Sequence, residues 1–259
     1  MSPLLEVRDL CYLSILKKVS FRVGRGEHLI IVGQNGAGKS TLLRCIDLIL
    51  GDWTGEIALD GTSIREIPRK RLAQKIAFVR QSAEMIPDIT VRGLVMTGRY
   101  PYRSLLAPFS RQDEEIVDRA LSLTEITSLA ERKLAALSGG ERQRAWLAAA
   151  IVQEPEIFLL DEPTVFLDYR RQAETYRLLD RVRTETGSAL LEVTHDLNRA
   201  SASATTLLAL ADGKVVYNGT PAGMMNRELL RTIFETDLCL VTSEETGRSF
   251  VIPRNDPRS

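Results

Sequence analysis

Residues 33–41, Gly-Gln-Asn-Gly-Ala-Gly-Lys-Ser-Thr, restrict this chain more than any other stretch, because they fit the G-x-x-x-x-G-K-[ST] pattern that folds around phosphates. The flanks supply the context the pattern needs. Leu29-Ile30-Ile31-Val32 reads as a buried strand entering the loop, and Thr41-Leu42-Leu43-Arg44-Cys45-Ile46 as a helix leaving it. Glycines let the backbone curl so that N–H groups turn inward, and the helix terminus adds partial positive charge, so anionic oxygens find donors without any side chain. The expected cradle is Gly33, Asn35, Gly36, Ala37, Gly38, Lys39, Ser40 and Thr41. Lys39 adds a mobile charge for β- and γ-phosphates, and the Ser40 hydroxyl is the expected magnesium ligand. The motif alone names no single function, since kinases, GTPases and motor ATPases share it.

Strand patterns surround this loop. Leu4–Arg8 and Val19–Val23 alternate apolar and polar residues, the sign of an N-terminal β layer, with Tyr12 between them. An aromatic there either stacks on a nucleobase or packs in the core beside Cys11 and Leu13. Gly55–Leu59 ends in the hairpin signal Asp60-Gly61. Ile67–Ala73 reads as a short basic helix and Lys75–Val79 as a buried strand ending at Arg80-Gln81, where a Gln faces either the ligand crevice or solvent. From Ser82 to Leu137 the chain changes to helices with polar breaks. Ser110 and Asp113 have capping-box spacing, ahead of a helix with Ile116, Val117, Ala120 and Leu121 on one face. The loop Gly98-Arg99-Tyr100-Pro101-Tyr102-Arg103 reads first as a packed Pro turn and second as a docking surface.

Three further segments carry chemistry. Leu137-Ser138-Gly139-Gly140-Glu141-Arg142-Gln143 opens a helix running through Val152, whose N–H groups at Ser138, Gly139, Gly140 and Glu141 form either a second anion site or a plain capped end with a Gly-Gly hinge. Next, Ile157-Phe158-Leu159-Leu160 is an apolar strand ending in Asp161-Glu162, with Pro163 as its stop. Asp161 is placed to hold magnesium with Ser40. Glu162 points elsewhere and could orient or deprotonate a water. Asp168 is a plausible N-cap for the next helix, with Tyr176, Leu179 and Val182 on its inner face. Ser188–Val193 is one more strand, ending at Thr194-His195-Asp196. Of the two histidines, His28 begins a strand and reads as structural, whereas His195 stands at a strand end as a phosphate contact. A hairpin about Asp212-Gly213, a helical stretch from Pro221 to Phe234 and two strands, Leu238–Thr242 and Ser249–Ile252, complete the pattern.

Composition excludes some alternatives. The 259 residues balance 34 Lys+Arg against 34 Asp+Glu, which gives no electrostatic case for nucleic acid. No basic n-region precedes an apolar core, so no signal peptide is expected, and the longest apolar stretch, Ala145–Val152, is too short to span a bilayer. Cys11, Cys45 and Cys239 lack metal-ligand spacing and read as reduced packing thiols.

Taken in order, the phosphate loop, Gln81, Leu-Ser-Gly-Gly-Glu, Asp-Glu-Pro, Leu-Asp and Thr-His-Asp make the whole chain resemble the nucleotide-binding subunit of ABC transporters. The resemblance implies an α/β phosphate-loop NTPase with a mixed central sheet, an N-terminal antiparallel β layer and an inserted helical subdomain. Residues 82–153 would form that subdomain, and 1–81 with 154–259 the core, β layer and C-terminal extension. It implies ATP and Mg2+ as ligands and a head-to-tail dimer, in which Ser138–Glu141 of one copy close on ATP held by Gly33–Thr41 of the other. Glu162 then resembles the catalytic carboxylate, His195 the γ-phosphate contact and Asp168 a contact across the dimer. Gln81 resembles a magnesium-side link to the membrane partner, and Tyr12 the adenine-stacking aromatic in a shortened segment. A polytopic permease would dock near Gln81 and Gly98–Arg103 at the cytoplasmic face of the membrane, served by a periplasmic or surface binding protein. The Gly98–Tyr102 loop, Thr164–Asp168, His195-Asp196-Leu197-Asn198 and the tail near Ile252-Pro253-Arg254 look like ATPases of iron-siderophore, haem or cobalamin importers. Chromosome or ribosome ATPases of this superfamily usually carry a long coiled coil or two ATPase units, and neither pattern is present.

Overall fold

A computed structural model describes residues 2–79, 86–104, 107–164, 167–245, 247 and 249–254. Gln81 lies outside the described residues. The chain divides into two compact units, Met1–Ile64 with Leu191–Ser259, and Arg65–Leu190.

The first unit opens with β1 (Leu5–Tyr12) and β2 (Leu16–Val23), antiparallel with Leu5 opposite Val23 and Val7 opposite Phe21. Alternation sends Leu5 and Val7 inward and leaves Arg8 exposed, and a bulge at Asp9, φ +45, leaves Asp9 exposed and returns Leu10 to the core. Then β3 (His28–Val32), buried at every position, feeds the phosphate loop and α1 (Lys39–Ile46). The pair β4 (Thr54–Leu59) and β5 (Thr62–Ser63) turns at Asp60-Gly61 as expected and completes a layer ordered β2-β1-β4-β5.

In the second unit α2 (Arg69–Lys75) starts two residues later than its basic pattern suggested. Pro68 is the N-cap, extended at ψ 134 after a turn, and a proline's own geometry suits it to a helix start but not to an interior. Lys75 consequently closes the helix, and β6 is Ile76–Val79. Three helices follow, α3 (Val91–Thr97), α4 (Arg111–Leu123) and α5 (Gly139–Ile151), before β7 (Ile157–Asp161), which pairs in parallel with β6, and α6 (Tyr169–Thr186). Val91, Leu94, Val95, Ile116, Val117, Ala120 and Leu121 pack against Ala145, Ala148 and Ala149 of α5. On its other side α5 sets Leu147 and Ala150 against Ala77, Val79, Phe158 and Leu160. A helix buried on two sides needs small apolar residues most of the way round, which accounts for the Ala-rich run at 145–150. Among the described residues no helix is long and apolar enough to cross a membrane.

The Gly98–Arg103 loop is the packed turn. Arg99 is 4% exposed, donating to Asp113 Oδ1 at 2.9 Å, to the Val152 carbonyl at 2.6 Å and to Glu154 Oε2 at 2.8 Å. Its guanidinium lies 3.9 Å from the Tyr102 ring centroid. Tyr102 itself donates to the Gln153 carbonyl, so the loop is bolted to the C-terminal end of α5.

Strand β8 (Ala189–Val193) returns the chain to the first unit, followed by α7 (Leu197–Ser203), β9 (Thr206–Ala211), β10 (Lys214–Gly219), α8 (Pro221–Met224), α9 (Arg227–Phe234), β11 (Leu238–Thr242) and β12 (Ser249–Pro253). Strands run β10-β9-β3-β8, with β9 parallel to β3 and antiparallel to β10. The helical stretch expected over 221–234 consists of two helices, because the Asn226 side chain accepts from Glu228 and Leu229 N–H and starts α9 afresh.

Candidate active site

In the first unit the phosphate loop is built against its neighbours. Gly33 has φ +146, and a Cβ there would lie 2.1 Å from the Leu210 carbonyl oxygen of β9. Gly38, at φ +96, caps α1, and a Cβ on it would reach Leu16 of β2 at 2.7 Å. Only glycine fits either place. No side chain caps α1 and its first turn holds no acid, whereas α4, α5 and α6 each begin with a side-chain oxygen accepting a backbone N–H. The α1 terminus therefore suits a phosphate, which would supply the missing acceptor and the negative charge the helix dipole favours. Lys39 is only 6% exposed, and among its contacts its ammonium donates to the Gly33 and Gln34 carbonyls at 2.8 Å each. That folds the side chain across the loop with its charge on the cradle.

Tyr12 does not lie between the strands. It is the last residue of β1, half-buried and opposite Leu16, because the link to β2 is a tight turn closed by the Ile15 N–H on the Tyr12 carbonyl. Ile15, beside it, approaches the Gly38 cap instead.

His195 leaves the same strand ends as the phosphate loop. The Thr194 N–H donates to the Ile31 carbonyl at 3.2 Å, fixing the end of β8 beside β3, and His195 is exposed there. Asp196 caps α7 by accepting the Arg199 N–H at 3.0 Å. Behind it lies Glu192, wholly buried, which accepts from Arg199 Nη1 at 2.5 Å and sits 2.9 Å from His28 Nε2. Burial pushes the Glu192 carboxyl up, but the His28 hydrogen bond and the Arg199 guanidinium outweigh it and hold it below the ordinary carboxylate value. His28 is thus structural, as its position suggested. Glu192→Ala should cost about 3 to 5 kcal/mol of stability at neutral pH, since it removes a wholly buried carboxylate that both His28 and Arg199 contact. Urea unfolding reads it, and a loss under about 1 kcal/mol would show that this cluster holds little of the fold. A depressed carboxylate contributes stability that is complete above its usual value of 4.5 and disappears as pH falls through its folded value, so the deficit should narrow in acid.

In the second unit Asp161 is the last residue of β7 and 6% exposed. The strand stops there and not at Pro163: Glu162 has φ +48, a left-handed conformation that costs a non-glycine residue about 1 to 3 kcal/mol. That kink swings the Glu162 side chain out of the strand's alternation.

The leading end of α5 is less open than a bare anion site. Ser138 and Glu141 form a reciprocal capping box, with the Ser138 N–H donating to Glu141 Oε2 at 2.7 Å and the Glu141 N–H to Ser138 Oγ at 3.4 Å. Hydrogen bonds from the Ser138 backbone N–H, and after it from the Ser138 side chain, hold the Glu141 carboxyl below its ordinary value. Asp168 caps α6 as expected, accepting from the Arg171 N–H at 2.9 Å. A Cβ on Gly140 would lie 3.1 Å from Arg171 Cδ, so Gly140 and the Asp168 cap share one neighbourhood. Arg171 has no motif of its own, and only its place three residues after Asp168 in an N-cap pattern pointed toward it.

A parallel strand feeding a glycine loop and an uncapped helix, with a second apolar strand ending in Asp-Glu, defines a phosphate-loop NTPase. Residues 16–165 match the ABC transporter family. The chain belongs to the ATP-binding subunits of that family, whose members bind and hydrolyse ATP. It is 38% identical over 240 residues to the ferric enterobactin transport ATP-binding protein FepC of Escherichia coli, covering 93% of this chain and 89% of that one. It is 37% identical over 244 residues to the petrobactin import ATP-binding protein FpuD of Bacillus anthracis, covering 94% and 89%. A hemin import ATP-binding protein of Rhodococcus jostii, HmuV, is also 37% identical, covering 94% and 82%. Among solved structures, an inward-facing ABC transporter of metal-chelate type superposes with a TM-score of 0.86 at 26% identity, over 99% of both chains.

Proposed function

We propose that this chain is the ATP-hydrolysing subunit of a bacterial importer for an iron-siderophore, haem or cobalamin. The observation that carries this reading is its identity of 36–38% with ATP-binding proteins named for siderophore, hydroxamate and hemin import, over at least 88% of its length. Two copies pair head to tail, with Gly33–Thr41 and His195 of one facing Ser138–Glu141 and Asp168 of the other. Ser40, Asp161 and Gln81 are the residues that would hold Mg2+, which would supply charge neutralisation for the phosphates. Glu162 orients and deprotonates the attacking water, and the rest is positioning and charge stabilisation. The subunit sits peripherally at the cytoplasmic face, against permease subunits near Gln81 and Gly98–Arg103. Tyr100, 58% exposed at the crest of that bolted loop, is suited to such a contact.

A strain lacking this chain should lose uptake of one of labelled ferric siderophore, haem or cobalamin and regain it on re-expression. Undiminished uptake of all three would sink the substrate assignment. Purification with a ribosome or DNA instead of a polytopic membrane protein would sink transport altogether.

A further inference from the structure

We propose that Asn198 is a positioning residue for His195, and that the C-terminal hairpin β11–β12 is through it part of the hydrolytic machinery. The inference rests on the reading of His195 as the γ-phosphate contact.

The carrying observation is a paired hydrogen bond between distant parts of the first unit. Asn198 Nδ2 donates to the Val251 carbonyl at 2.9 Å, and the Val251 N–H donates to Asn198 Oδ1 at 2.7 Å. A carboxamide used in both directions stands in for the peptide group of a neighbouring strand. It therefore sets the plane and the distance of the contact as well as its existence.

Helix α7 depends on such contacts for its orientation. It spans seven residues, too few to be stable alone, so tertiary contacts decide where its first turn points. Leu197 and Ala200 sit in a core with Ile30, Val32 and Val251. That apolar contact is non-directional and leaves rotation about the helix axis poorly restrained. Direction comes from two adjacent side chains: Arg199 reaches inward to Glu192, and Asn198 reaches sideways to β12. His195 stands one residue before the Asp196 cap of α7, three residues from Asn198. A small rotation of α7 is carried to its imidazole.

The hairpin is itself anchored where it leaves the fold. Asp237, just before β11, pairs with Arg227 of α9 at 3.0 Å and with Arg254 just after β12 at 3.2 Å. β11 and β12 pair in unbroken register from Leu238–Pro253 to Thr242–Ser249. Asn198 thus grips a hairpin whose two ends meet at Asp237, beside α9.

The test is a double-mutant cycle on the full chain, reading γ-phosphate release from labelled ATP in single-turnover and steady-state modes so that low residual rates stay measurable. Asn198→Ala should lower kcat about tenfold while KM for ATP stays within about twofold, because a misplaced group costs the chemical step and leaves the phosphate loop to hold the nucleotide. In a His195→Ala background the same change should have less than about a twofold effect, since the residue it positions is gone. Asn198→Asp keeps the acceptor for the Val251 N–H, loses the donor and should show the same pattern more weakly, which covers the case in which Asn198→Ala folds poorly. Equal fold-losses in both backgrounds, or an unchanged kcat in both Asn198 variants, overturn the proposal. If His195→Ala alone leaves kcat intact, it is the γ-phosphate reading of His195 that fails, and the positioning role falls with it.

Discussion

Glu162→Gln should abolish steady-state ATP hydrolysis, lowering turnover at least about a hundredfold, while ATP binding survives and an ATP-bound dimer accumulates. The amide keeps the size and left-handed backbone of the native residue but takes up no proton at neutral pH. General bases contribute about a hundred- to ten-thousandfold, so their loss is unmistakable. Asp161, one residue earlier, ends the buried strand and is untouched by the substitution. Phosphate release and gel filtration with MgATP read the two halves of the result. Near-normal turnover would remove Glu162 from the role of base.

The second large effect is expected at Lys39. Its ammonium is nearly buried and bridges two carbonyls of its own loop, so Lys39→Ala removes both the charge meant for the phosphates and a brace of the cradle. Hydrogen bonds to charged groups contribute about 1.5 to 3 kcal/mol, which predicts a loss of ATP affinity of about 10- to 100-fold. Hydrolysis should vanish, and so should ATP-driven pairing of two copies. Lys39→Arg keeps the charge but not the compact ammonium, and should fail as well. Binding of a fluorescent ATP analogue and size-exclusion chromatography with ATP separate these effects. If Lys39→Ala still dimerised on ATP, the shared-site reading would have to be given up.

Much of the fold was legible because its signals are local. The phosphate loop, the Asp60-Gly61 and Asp212-Gly213 hairpins, the capping box at Ser110 and the caps at Asp168 and Ser138 each lie within a few residues, where turn and cap chemistry decides. Boundaries shifted where one residue overrode a pattern, as Pro68 did for α2 and Asn226 for the last helices. Tyr12 was misplaced for a different reason: a one-dimensional pattern does not show how tightly β1 turns into β2. The strand end at Asp161 was set by the backbone of Glu162 and not by the proline that follows. What could not be read were contacts between distant residues. Nothing about His28 announces Glu192, nothing about Asn198 announces Val251, and although Gly98–Arg103 read as a packed turn, nothing in it named Asp113 and the Val152 carbonyl as the partners of Arg99.

The capping box at Ser138 and Glu141 also bears on what this chain ignores. A bare helix end would collect whatever free phosphate or sulfate its surroundings supply. Glu141 carries its own negative charge to that end, so a wandering anion meets a seat already taken. In the paired arrangement proposed above, a γ-phosphate is presented by a second copy at high effective concentration, an advantage no dissolved ion has. Self-capping would thus make the signature helix selective by mode of delivery: it responds to a nucleotide brought by its partner and is deaf to the same chemical group in solution.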